Sequence, residues 1–194
     1  MVTYDARTAL LVVDVQNDFA DPVGSLAVPG GADVIPVINE NVRAARAAGA
    51  LVVATQDWHP EVTPHFAAQG GLWPVHCVGG TWGAELHPEL RAAGEVVRKG
   101  AGGDDGYSAF SERDPVSGES SSTPLEVMLK ARGIEHVVVS GLATDYCVVE
   151  TVVDARVAGF EVDVVRDAIR AVDLEPGDGD RAIARMRDAG AELV

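Results

Sequence analysis

Residues 136–165 read HVVVSGLATDYCVVETVVDARVAGFEVDVV. The stretch begins and ends in β-branched runs, at Val137, Val138 and Val139 and again over 162–165, with a segment of helical period between them that stops at Gly159. Apolar runs bounded by glycine mark strands buried on both faces, and a helix joining two of them is the βαβ unit of a parallel sheet. The pattern continues outward. Strands are expected upstream at 8–15, 51–55 and 95–98, with a helix from about Asp33 that carries Val34, Val37, Ile38 and Val42 on one face and ends at Gly49. Thr123, Pro124 and Glu126 open another helix as cap, first helical residue and capping-box partner, and Gly133 closes it ahead of the strand at 136–141. Downstream, a helix over about 180–188 ends at Gly190 before a short strand at 191–194. Six strands alternating with helices give an α/β class: three αβα layers on a six-stranded, doubly wound parallel sheet. The Gly-, Ser- and Asp-rich stretch 100–122 is too long for a simple connection and reads as a functional or mobile loop, its serine cluster at 117–122 as flexible.

The 194 residues suffice for one well-buried domain, 1–194, and the 47% apolar, 23% charged composition is that of an ordinary globular chain. A net charge of −15 leaves no basic face for phosphates, which excludes nucleic acid and anionic membranes as partners. No run approaches a membrane span, since Asp14 interrupts the apolar stretch that starts at Ala9, and no signal peptide is read at the N-terminus. Two cysteines, Cys77 and Cys147, are too few for a disulfide framework and fit a reducing cytoplasm.

Polar residues puncture the apolar pattern at its strand ends, where ligands bind in open α/β sheets. Asp14 ends the first strand, Asp57 lies just past the second, Lys99 ends the third and Cys147 follows the fourth. In SGLATDYC the thiol falls in the first turn of a helix, where the dipole favours a thiolate and free N–H groups can hold an oxyanion. A buried structural cysteine is the alternative, and Cys77 competes as nucleophile without a helix terminus. Asp14 and Lys99, one of only two lysines, form either a buried structural pair or the base and orienting cation of a nucleophile; Asp18 reads as structural.

Asp57, His59, His65 and His76 form a D-x-H-x5-H-x10-H series that can surround one divalent cation with room for solvent or substrate. The alternative is a His-rich loop whose imidazoles titrate freely. Aromatic residues make up only 5% of the chain, yet Phe19, Trp58, Trp73 and Tyr107 lie beside these motifs, as wall for a flat ring or as packing.

VDVQNDF at 13–19, DWHP at 57–60, WPVHC at 73–77, KG at 99–100, YSAF at 107–110 and GLATDYCV at 141–148 together resemble the nicotinamidases (pyrazinamidases) of the isochorismatase-like hydrolase family. The resemblance runs from about Leu10 to the C-terminus. It implies a catalytic triad of Asp14, Lys99 and Cys147, and metal ligation by Asp57, His59, His65 and His76. It further implies a cis peptide between Leu142 and Ala143, an oxyanion held by the N–H groups of Ala143 and Cys147, and a pyridine ring between Phe19 and Trp73 with Tyr107 and Leu142 beside it. The implied reaction is hydrolysis of nicotinamide to nicotinate and ammonia through a cysteine thioester, in NAD salvage. One divalent ion is expected, Zn²⁺ first and Fe²⁺ or Mn²⁺ as alternatives, either anchoring the pyridine nitrogen or supplying the hydrolytic water. The expected partners are the small-molecule substrate and, as an open option, a second copy of the chain. A cysteine amidohydrolase of the same fold acting on another small amide or ureido compound is the alternative. A dinucleotide-binding module is disfavoured, because no G-x-G-x-x-G follows the first strand, and a structural metal protein would need a closed site.

Overall fold

The computed structural model describes residues 2–92 and 94–194. In chain order the elements are β1 (Thr8–Val13), α1 (Asn17–Ala20), α2 (Val34–Ala47), β2 (Leu51–Asp57), β3 (Glu95–Lys99), β4 (Ser111–Arg113), β5 (Ser120–Ser122), α3 (Leu125–Ala131), β6 (His136–Leu142), α4 (Val149–Val157), β7 (Glu161–Arg170), α5 (Asp178–Asp188) and β8 (Glu192–Leu193). Six strands form one sheet in the order β3-β2-β1-β6-β7-β8. Every pair in it is parallel, and β4 and β5 form a separate antiparallel hairpin.

All six residues of β1 are buried, because both faces of this central strand are covered. Connections β1→β2→β3 step one way across the sheet, and β3→β6→β7→β8 step the other way. Right-handed crossovers therefore send the two sets of connections to opposite faces. On one face α2 packs Val34, Ile35, Ile38 and Val42 against Leu10, Val12 and Val138, joined by Cys77 and Ala84 from segment 58–94. On the other, Leu129 of α3, Val152 of α4 and Met186 of α5 pack against Ala9, Leu11, Val137 and Val139. The sheet reverses between β1 and β6, so the ends of these two strands open a crevice at the switch point. No described helix is long and apolar enough to cross a membrane.

The strand and helix pattern matches the sequence expectation, apart from shifts of one or two residues at element ends and the following local differences. β1 stops at Val13 because Asp14 turns into a left-handed backbone conformation at φ +49°. β7 runs on to Arg170 through the exposed pair Arg166 and Asp167, and its register against β6 shifts between Val139 and Gly141; a bulge hides a strand from a rule that seeks continuous apolar runs. In α3 the capping box does not form. Thr123 Oγ1 accepts from the Leu125 N–H but itself donates to Ala109 O, while Glu126 pairs with Lys130. The serine cluster is also more ordered than expected, since Ser120–Ser122 pairs with Ser111–Arg113. Asp114 shapes that turn by accepting the N–H groups of Val116 and Ser117.

Gly141 sits at φ +117°, and a Cβ there would stand 2.0 Å from the carbonyl oxygen of Val13 on the neighbouring strand. Gly133 is also left-handed, at φ +68°, with nothing within 4 Å of the same position. Gly141→Ala is expected to lower the unfolding free energy by about 3 kcal/mol through overpacking, and Gly133→Ala by about 1 kcal/mol from backbone conformation alone. Urea denaturation of the two variants checks this, and equal losses would show that the close approach of β1 and β6 is not what selects glycine.

Candidate active site

Four neighbouring strands end at the crevice, and each delivers one polar group. Asp14 is the residue after β1, Asp57 the last of β2 and Lys99 the last of β3. After β6 the Leu142–Ala143 peptide is cis, and residues Thr144–Val148 form a single π-helical turn that carries Cys147 into α4. Asp14 Oδ2 lies 2.7 Å from Lys99 Nζ with both side chains fully buried. Asp14 Oδ1 accepts from Thr55 Oγ1 at 2.6 Å. Lys99 Nζ also donates to the carbonyl oxygens of Gly106 and Tyr107 and reaches Cys147 Sγ at 3.4 Å. The structure thus brings the three sequence-expected residues together.

Burial pushes the Cys147 thiol well above its ordinary range, Lys99 pulls it back, and the negative charges of Asp14 and Asp57 add to the rise. Desolvation is the largest of these influences, and the helix-terminus argument from sequence leaves it out. Burial likewise raises the Asp14 carboxyl, against the opposing ammonium of Lys99. Lys99 resists its own burial because Asp14, Cys147 and Asp57 all favour its charge. The proton therefore rests on sulfur, beside a carboxylate whose basicity is itself raised by burial.

The second cluster borders the first. Ligand atoms of His59, His65 and His76 lie within 4.8 Å of one another. Asp57 Oδ2 stands 3.1 Å from His59 Nε2 and 3.3 Å from His76 Nε2. Burial works against ionised Asp57, but Lys99 and the two imidazoles hold its carboxyl well below the usual range. Burial lowers His65 against the pull of Asp105, whereas Asp57 raises His76 against its burial. His76 Nδ1 faces Pro74 O at 2.8 Å and His65 Nδ1 faces Asp105 Oδ1 at 2.5 Å. A carbonyl and a carboxylate only accept, so both Nδ1 atoms carry a proton, and in the neutral ring each Nε2 is the atom left with a lone pair. Asp57 Oδ1 and both His59 nitrogens are buried without a hydrogen-bond partner. Orphaned buried donors and acceptors, free imidazole lone pairs and a carboxylate fit a divalent cation with nitrogen and oxygen ligands.

Between the clusters lies a small pocket with mostly apolar walls. Phe19, Trp73 and Tyr107 line it as expected, together with Ala143 and Cys147. Trp73 Nε1 donates to the Tyr107 hydroxyl at 2.8 Å, fixing that wall. Leu142 differs from the other three: its side chain is fully buried in the core with Leu10 and Val12 and is not among the lining residues. A strand residue one step before the turn points into the sheet packing. Trp58 is absent from the lining too and instead takes the Arg98 guanidinium over its ring at 3.7 Å. Cys77 is fully buried, and its Sγ faces the Gly83 carbonyl rather than the pocket. Sequence reasoning missed Leu26, Val28, Tyr146 and Val172 of the lining, and Thr55 and Asp105 behind the clusters. Of these, Thr55 as a polar residue inside a buried run and Tyr146 beside the cysteine carried a readable signal.

Comparison with known proteins places this geometry. A family model described as the isochorismatase domain matches residues 8–194. The chain is 40% identical to the nicotinamidase of Escherichia coli (strain K12), over 95% of this chain and 93% of that one. It is similar in structure to the pyrazinamidase of Pyrococcus horikoshii in complex with zinc, with a TM-score of 0.86, 40% identity, and coverage of 97% of this chain and 98% of that one. Its similarity to PnC1 from L. infantum in complex with nicotinate gives a TM-score of 0.90 at 39% identity, over 100% of this chain and 95% of that one. The matched span takes in all six strands of the sheet and both side-chain clusters, and the chain belongs to the isochorismatase domain family.

Proposed function

We propose that this chain is a nicotinamidase, a metal-dependent amidohydrolase that converts nicotinamide, and pyrazinamide-type analogues, to the carboxylate and ammonia in the cytoplasm as a step of NAD salvage. The observation that carries the reading is the meeting of a buried thiol, carboxylate and ammonium, at 2.7 and 3.4 Å, with the thiol on the wall of an aromatic pocket that His65 and His76 of the imidazole cluster also line. The names of the similar proteins point to the same chemistry.

In this reading Phe19 and Trp73 take the pyridine ring, and the carboxamide carbon faces Cys147. Asp14 removes the thiol proton as sulfur attacks, and the N–H groups of Ala143 and Cys147 receive the developing oxyanion. One such donor is worth roughly 3–4 kcal/mol in acyl transfer. Asp14 then passes its proton to the leaving amine, and a water deprotonated by Asp14 hydrolyses the thioester. Lys99 keeps Asp14 in place and offsets negative charge on sulfur or carboxylate in turn. A divalent ion held by Asp57, His59, His65 and His76, Zn²⁺ being the best match to this ligand set, supplies a Lewis-acid anchor for the ring nitrogen or for water.

Ammonia release from nicotinamide by the purified protein is expected to disappear on chelation and return with added Zn²⁺. Absence of release with any metal would move the substrate to another small amide or ureido compound. Cys147→Ala is expected to lower kcat by 10³-fold or more, by analogy with nucleophile removal in other hydrolases, with metal content unchanged by atomic absorption. Cys77→Ala is expected to stay within a few-fold of the parent chain. Substantial turnover by Cys147→Ala would sink the assignment of the nucleophile.

A further inference from the structure

His65 arrives on segment 58–94, which has no α-helix among its described residues and is held by short turns. The final torsion of an imidazole is broad and nearly two-fold, so the direction of its lone pair needs an external partner. His76 has one two residues away in sequence, the carbonyl of Pro74. The partner of His65 is 40 residues away: the Asp105 carboxylate, at 2.5 Å from Nδ1. Asp105 is itself fixed, since its N–H donates to Arg113 O at 2.7 Å and its carbonyl accepts the Arg113 N–H at 3.0 Å. That pairing ties it to the β4–β5 hairpin. The next residue, Gly106, gives its carbonyl to Lys99.

We propose that Asp105 is a positioning residue of the metal centre, holding His65 with Nε2 turned toward His59 and His76 and coupling metal affinity to the seating of the β4–β5 hairpin. The proposal rests on the metal reading given above. Its physical content is twofold. The carboxylate fixes the Nδ1–H tautomer and the ring plane, and it makes the opposite nitrogen a stronger donor. Among the three clustered imidazoles, His65 alone has a carboxylate on its Nδ1 side, since His59 Nδ1 has no partner and His76 Nδ1 has a neutral carbonyl.

The test measures Zn²⁺ and Co²⁺ affinity of the metal-stripped full chain by competition with a chromophoric chelator, for the parent, Asp105→Ala, Asp105→Asn and His65→Ala. Loss of an outer carboxylate partner typically weakens metal binding 10–100-fold. Asp105→Ala is expected in that range, and Asp105→Asn, which keeps an acceptor oxygen, between it and the parent. The Co²⁺ absorption bands should shift in Asp105→Ala, and thermal melts of the metal-free proteins should coincide, separating ligand orientation from a general loss of fold. Equal affinity and identical Co²⁺ spectra in parent and Asp105→Ala would overturn the proposal while leaving the metal site standing. A parent chain that takes up neither ion would overturn the metal reading itself, and the proposal with it.

Discussion

A carboxylate and an ammonium with no solvent exposure, Asp14 and Lys99, form the constraint on which the site depends. Removing such charges from water carries a penalty of several kcal/mol per ion, offset only when every remaining donor and acceptor is matched. Thr55 answers one oxygen of Asp14, and Gly106, Tyr107 and Cys147 surround the ammonium. The same requirement shapes the chemistry. Moving the proton from sulfur to Asp14 exchanges one anion for another beside a fixed cation, so the formal charge of the three groups is zero before and after. In a buried setting, that internal transfer is far less costly than releasing a proton to solvent, which would leave an unbalanced anion inside. The raised Asp14 carboxyl and raised Cys147 thiol express the same logic, since burial disfavours an additional charge on either.

The sheet supplies the distances. Adjacent strands lie roughly 4.8 Å apart, and Lys99 on β3 has β2 between it and Asp14 after β1. Only a long side chain laid across the end of β2 can bring its charge to the switch point. A lysine does so with a compact head whose three donors suit a carboxylate, a carbonyl and a sulfur in different directions, where a planar guanidinium would favour one flat partner. Asp57, the last residue of the strand being crossed, is paired in register with Lys99 and faces the imidazole cluster. The two clusters are adjacent because adjacent strands end there.

What the sequence made legible follows from which forces leave a periodic trace. Buried parallel strands leave continuous apolar runs, so the six-strand, doubly wound arrangement could be read, and so could the polar exceptions Asp14, Asp57, Lys99 and Cys147 that end or follow them. Groups whose partners are set by loops left no such trace. Asp105 sits in a glycine-rich stretch and meets His65 only through the fold, and Leu26 and Val28 reach the pocket from a turn with no period of its own. Burial of the thiol left no trace either. A helix-terminus argument counts the dipole and omits desolvation, which raises Cys147 in its buried π turn.

The residues after Asp14 show how a long segment without an α-helix among its described residues can present imidazoles in register. Gln16 lies past the end of β1, and its side-chain amide donates to Asp57 O at 2.7 Å and Ala84 O at 2.9 Å and accepts the Asp57 N–H at 2.8 Å. Asn17 donates to Trp82 O, and Asp18 accepts the N–H of Cys77 at 2.7 Å, directly after His76. Gly83 closes against Asp18 so tightly that a Cβ would stand 2.1 Å from its carboxylate. Three consecutive polar side chains at the end of one buried strand thus pin the backbone on both sides of the imidazole-bearing segment. In the proposed reading, imidazoles held this way would lose little conformational freedom on binding a cation, because the ordering has been done on folding. The VDVQNDF stretch therefore joins two tasks in seven residues, with Asp14 beside the thiol and the next polar side chains setting the segment that carries the imidazoles.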